Sequence, residues 1–216
     1  MKILLLGATG RTGQQIIKEA LIRGHKISAI ARDPEKLKGY DIDVTQGTPY
    51  DYQCVEKAIH GCEAVINTLN VSRKSDNPWA PLRSPKDMIS RSASNAVKAM
   101  EKNGVKRFVA LSTIGAGRSW KTSPGILKFM VSVSNLKVAF QDHGKQEEIL
   151  ENSSLDYTIC RAPMLSNELN DPGAIATPEG EKPANRVLSR NAAAKYFLDI
   201  LENNLHIRET ISLSNR

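Results

Sequence analysis

Aromatic residues make up only 5% of the 216 positions. A core of stacked rings is therefore excluded, and aliphatic side chains must supply most of the buried area. Cysteine is also scarce: Cys54, Cys62 and Cys160 form an odd set with no CxxC pair, and the four histidines are scattered. This rules out a disulfide framework and a structural zinc motif, and it fits a reducing cytoplasm. No run approaches the roughly 20 apolar residues that span a bilayer. The first apolar run ends at Gly7, too early for a signal peptide. Repeats and low-complexity linkers are missing as well. The net charge of +7 favours anionic partners, but the 30 Lys and Arg residues are spread without a dense run. Neither a nucleic-acid partner nor a membrane is expected.

What is present is alternation. Apolar strands are expected at 2–6, 26–31, 42–46, 64–69, 107–112 and 156–161. Helical patterns fall at 13–23, 52–60, 85–103, 143–152 and 191–203, with a final edge strand at 210–213. Near-continuous apolar strands alternating with helices imply a doubly wound α/β domain over 1–216, its mainly parallel sheet covered on both faces. Three stretches break the rhythm, at 72–87, 113–142 and 163–188. All follow carboxyl ends of strands, where open α/β sheets bind ligands, so they are expected to form a small substrate lobe. The segment 126–140 is apolar with lysines in it, which reads as an amphipathic cover or as a surface for a protein partner or self-association.

The stretch "LLLGATGRTGQQIIKEAL" leaves a buried strand through Gly7, Gly10 and Gly13 and enters a helix. A glycine turn that opens a helix is an anion site, because the first-turn amides lack partners and the helix dipole adds positive potential. Gly7 permits the tight turn, Gly10 admits a pyrophosphate to the backbone, and Gly13 lets helix and strand pack closely. Thr9, Arg11 and Thr12 lie between them and join the expected dinucleotide site. The second strand ends in "AIARDP". An acidic residue at that tip would read the free ribose hydroxyl of NAD, whereas Arg32 suits the 2′-phosphate of NADP through forked, charge-assisted hydrogen bonds. NADP(H) is thus expected over NAD(H). From fold position, Thr68, Leu69 and Asn70 at the tip of the fourth strand lie near the nicotinamide-side ribose.

"GATGRTG" with "ARDP", "FVALSTIGAG" and "HGKQEEILENSSLDYTICRAP" together resemble the atypical short-chain dehydrogenase/reductases. They are most similar to the NAD(P)H-binding proteins related to NmrA and to biliverdin-IXβ/flavin reductase. The resemblance implies a Rossmann-type sheet and roles for particular positions. Thr113 matches the catalytic or substrate-binding serine, with Ser112 beside it. Lys145 matches the lysine that holds the nicotinamide ribose and lowers the pKa of a tyrosine. Pro163 matches the turn that approaches the nicotinamide amide. The tyrosine itself is missing, since Gln141 occupies its place. His143 is a candidate substitute, although a histidine near a helix N-terminus can equally make a local hydrogen bond. Thr48 replaces an aspartate that meets adenine in the family, and Arg190 reads as structural.

The expected function is NADP(H)-dependent reduction of a planar acceptor, flavin or quinone, by hydride transfer without the usual tyrosine. Trp79 and Trp120 are offered for stacking on it. A non-catalytic NADP(H)-responsive regulator of NmrA-like type is the alternative. A sugar-nucleotide epimerase or dehydratase stands third, because it needs the tyrosine and a larger carboxyl-terminal domain.

Overall fold

The aliphatic strands are apolar along their whole length because helices cover both of their faces. A computed structural model describes residues 1–168 and 172–216; part of the 163–188 stretch, 169–171, lies outside them. The elements run β1 (Lys2–Leu6), α1 (Arg11–Ile22), β2 (Lys26–Ala31), β3 (Asp43–Gln46), α2 (Tyr52–Ala58), β4 (Ala64–Asn67), α3 (Met88–Asn103), β5 (Arg107–Thr113), α4 (Gly125–Ser132), α5 (Leu136–Glu151), β6 (Asp156–Ala162), β7 (Met164–Ser166), β8 (Ala174–Pro178), β9 (Val187–Ser189), α6 (Arg190–Glu202) and β10 (Glu209–Asn215). The main sheet has the order β3-β2-β1-β4-β5-β6-β10-β8, parallel throughout except for β8, which runs antiparallel to β10. This is the expected Rossmann-type architecture. Strand order reverses between β1 and β4, which places the glycine turn after β1 at the crevice where such sheets take ligands.

Alternate residues of each strand face opposite layers. Ile3, Leu5, Val109 and Leu111 pack under α1 and α6. Leu4, Leu6, Val65, Phe108 and Ala110 pack under α2, α3 and α5. Burying one such leucine is worth roughly 1.5–3 kcal/mol, so the two apolar layers fix the register of the whole sheet.

The structure corrects two expected boundaries. The strand expected at 210–213 is not an edge. β10 lies between β6 and β8, and the edge is β8, from a stretch read as loop. α5 begins at Leu136, not at His143, because a buried polar residue interrupts its apolar pattern. That residue, Asp142, caps α3 from outside: Ile89 N and Ser90 N donate to its carboxylate at 2.7 and 3.3 Å, while the α3 N-cap residue Asp87 makes no side-chain cap. The stretches 72–87 and 113–142 are joined to each other. Trp79 Nε1 donates to Val133 O at 2.9 Å, and Asn135 Nδ2 donates to Trp79 O and Ala80 O.

A buried ion pair locks α5 onto the sheet. Arg161 Nε and Nη2 donate to the two Glu147 oxygens at 3.0 and 2.8 Å, and both side chains are only 3% exposed. Arg161 Nη1 also reaches Glu179 at 2.6 Å, and Ser112 Oγ donates to Glu147 at 2.6 Å. Removing one partner strands the other charge. Arg161→Leu is therefore expected to lower the unfolding free energy by about 3–5 kcal/mol, measured by urea denaturation; an unchanged midpoint would show that the pair is dispensable.

Candidate nucleotide-binding site

The glycine loop is shaped by contacts no side chain would permit. Gly7 has φ +89°, and a Cβ there would lie 2.7 Å from Thr68 Oγ1 and 3.0 Å from Leu69 N. A Cβ on Gly13 would lie 2.3 Å from Gly7 O. Gly10 differs: a Cβ there would meet only Gly7 O, at 3.1 Å, so its outer side is open to a ligand. Gly10 is also the N-cap of α1, with no side-chain cap and no acidic residue in the first turn. Helical bonding starts with Gln14 N donating to Gly10 O, and the amides of Arg11, Thr12 and Gly13 find no acceptor among the described residues. A strand, a glycine turn and uncapped helix amides make a cradle that fits a diphosphate.

Two cations were expected here, and the structure separates them. Arg32 is exposed at the tip of β2, and no hydrogen bond or ion pair engages its guanidinium among the described residues. Its neighbour Asp33 faces Lys36 instead, at 3.7 Å. Arg11 is engaged: its guanidinium forks onto Asp76 with bonds of 2.8 and 3.2 Å, which holds the Asp76 carboxyl below the usual carboxylate range. Asp76 had no sequence signal, because nothing local tells a loop aspartate that it will face the glycine turn. Thr9 and Gly10 are exposed and Thr12 is buried.

Under the loop lies β4. Thr68 Oγ1 donates to Leu6 O at 3.1 Å, so this side chain seats the turn. Asn67 is fully buried. Its Oδ1 accepts from Leu69 N at 3.0 Å, its Nδ2 donates to Gln146 Oε1 at 2.6 Å, and Gln146 Nε2 donates to Leu111 O at 3.1 Å. This chain fixes Thr68 and Leu69 against Gly7 and ties them to α5. Asn70, beyond it, is exposed. Asn67 and Gln146 escaped the sequence reading because an amide in an apolar run looks like an ordinary surface residue.

The expected catalytic residues are sorted by the faces of α5. At about 100° per residue, positions two apart point in nearly opposite directions. Lys145 is exposed on the outer face with Gln141, whereas His143 is 4% exposed on the inner one. Lys145 and His143 thus lie on opposite faces of α5, Lys145 accessible and His143 enclosed. His143 lies between Ala139, which packs with Val71 and Ile89, and Gln146, which touches β4 and β5. It therefore faces the carboxyl ends of those strands. It sits two turns into the helix, so the local bond of a helix N-terminus does not apply. Its Nδ1 is buried with no hydrogen-bond partner, and burial pushes the imidazole down to about 4. Ser112 is buried, and its hydroxyl donates to Glu147 of the ion pair. Thr113 is half-buried at the end of β5, Pro163 is half-buried after β6, and Met164 beside it is 67% exposed. No cluster of metal-ligating side chains occurs among the described residues, and no helix there is long and apolar enough to cross a membrane.

A family model described as NAD(P)H-binding matches residues 7–204. The photosystem II assembly factor Ycf39 of Guillardia theta is 28% identical over 224 residues, covering 99% of this chain and 64% of that protein. The chain spans between 44% and 64% of the length of the first curated relatives it matches. Among solved structures, the anaerobillin reductase ChuY from Escherichia coli O157:H7 superposes with a TM-score of 0.82 at 19% identity, covering 100% of this chain and 97% of that one. A short-chain dehydrogenase/reductase from Veillonella parvula, in complex with NADP, gives 0.78 at 21% identity, covering 99% and 94%.

Folded His143 takes up its proton only near pH 4, whereas an unfolded imidazole does so at about 6.5. The unfolded chain therefore binds more protons between these values, and stability falls as pH drops through that window. His143→Gln is expected to flatten this part of the pH–stability curve, measured by urea unfolding at a series of pH values. A slope identical to that of the parent would show that His143 is not the group responsible.

Proposed function

As the chain belongs to the NAD(P)H-binding family, we propose that it is an NADPH-dependent reductase of a planar acceptor, flavin or quinone in type. The reading rests on one observation: the His143 imidazole is held neutral by burial, and the position of the usual phenol is an exposed glutamine. Neither Gln141 nor the neutral His143 imidazole is then an effective general acid at neutral pH. A carbonyl acceptor needs such an acid to quench a developing alkoxide. A flavin or quinone spreads the incoming charge over its ring and takes its proton from water.

When bound, NADPH supplies the hydride. The chain's own residues bind and orient. The amides of Arg11, Thr12 and Gly13 hold the diphosphate, and Arg32, without a partner among the described residues, takes the 2′-phosphate. Thr68 and Leu69 shape the floor, and Met164 offers an adaptable apolar surface beside Pro163. Arg11 would exchange Asp76 for a phosphate oxygen as the nucleotide enters.

The likeness to an assembly factor favours a second reading, a cofactor-responsive regulator that turns nothing over. Steady-state oxidation of NADPH with a panel of flavins and quinones separates the two: turnover with at least one acceptor is expected, and none with any would sink the reductase reading. Charge-assisted bonds contribute about 1.5–3 kcal/mol each, so Arg32→Ala is expected to weaken NADPH binding by at least tenfold and leave NADH nearly unchanged, as read by calorimetry. Equal losses for both coenzymes would remove Arg32 from the specificity argument. In pH–rate profiles, no titration is expected at about pH 6–7, where a free imidazole would respond.

A further inference from the structure

α4 carries its apolar stripe on the wrong side for a core helix. Ile126, Phe129, Met130 and Val133 recur at i, i+3, i+4 and i+7, and they are 75%, 67%, 41% and 48% exposed. The inward anchor is Val131, 2% exposed. Trp79 extends the patch from the neighbouring loop. Its ring is 57% exposed, yet its only polar atom is already satisfied by Val133 O, so the exposed ring has nothing polar to desolvate. The charges in the segment that carries the stripe are of one sign. From Gly117 to Gln141 the sequence contains no Asp or Glu, but it contains Lys121, Lys128 and Lys137. None of the three is in an ion pair among the described residues; Lys128 Nζ donates to Lys121 O at 2.9 Å, which fixes an ammonium at the helix flank.

We propose that α4 and Trp79 seat the protein peripherally on an anionic lipid surface, with the stripe at the headgroup boundary and the lysines over the phosphates. An outward apolar helix face, a tryptophan at its edge and a rim of ammonium groups is the pattern such surfaces select. A second copy of the chain fits less well, because a two-fold interface would bring the same lysines face to face. The sequence pattern alone was compatible with a cover or a protein contact. The outward orientation of the stripe, with lysines and no carboxylate in the segment that carries it, is what points to lipid.

The test is co-sedimentation of the full chain with phosphatidylglycerol/phosphatidylcholine vesicles and with phosphatidylcholine vesicles, at low and high salt. A lysine near an anionic surface contributes about fivefold to partitioning, so binding at least tenfold stronger to the anionic vesicles is expected, with loss at high salt. The double variant Ile126→Glu/Phe129→Glu changes exposed positions only; it is expected to keep its circular dichroism and lose at least tenfold in vesicle binding. Failure to pellet with anionic vesicles would overturn the proposal. So would undiminished binding of the double variant, which would mean a diffuse basic surface. A wild-type dimer by light scattering that the double variant converts to monomer would assign the stripe to a second copy instead.

Discussion

The Gly7 carbonyl and the Gly13 α-carbon occupy a space too small for one additional methyl group. α1 can lie so close to β1 only because that carbon is absent, and its free amides reach the crevice only because α1 lies there. The nucleotide cradle is thus a packing constraint before it is an electrostatic device. Charge then acts on a geometry already set: three amides and a guanidinium at the next strand tip, without partners among the described residues, and a helix dipole all favour an anion.

The cradle does not stand alone. Leu69 N, Asn67, Gln146 and Leu111 O form a buried hydrogen-bonded line from beneath Gly7 to the middle of α5. One turn away on the same helix is His143, and beside Gln146 is Glu147, clamped to Arg161 and Ser112. Buried polar groups of this kind are stabilising only when every member is satisfied. Here the amide and ion-pair members are satisfied, whereas His143 Nδ1 has no partner among the described residues, as is also true of Arg73 Nε, Arg107 Nε and Ser166 Oγ. An unmet polar atom in an otherwise satisfied layer is a physical reason to look for a ligand at that position.

α4 shows the same logic in reverse. The Trp79 indole N–H is satisfied, whereas the large apolar side chains of α4 are left in water at a cost of roughly 25 cal/mol for each Å² exposed. The 113–142 stretch therefore divides into an outward apolar ledge on α4 and, in the first turns of α5, a segment that closes over the core.

The layered sheet was legible in the residues themselves. Period and composition located β1 at Lys2–Leu6 and β2 at Lys26–Ala31, because burial on both faces demands unbroken aliphatic runs. Gly7 and Gly13 were equally readable, since close backbone approach there excludes every other residue type. Arg32 was readable too, as a residue fixed one step beyond a strand. Other features are decided by helix rotation and long-range pairing, which no local pattern carries. Lys145 and His143 are two letters apart, yet they face opposite ways once α5 starts at Leu136. Arg11 is met by Asp76 across 65 positions of chain, and Asp142 caps a helix that is not its own. Sequence determines which residues are able to approach, whereas tertiary packing decides which of them meet.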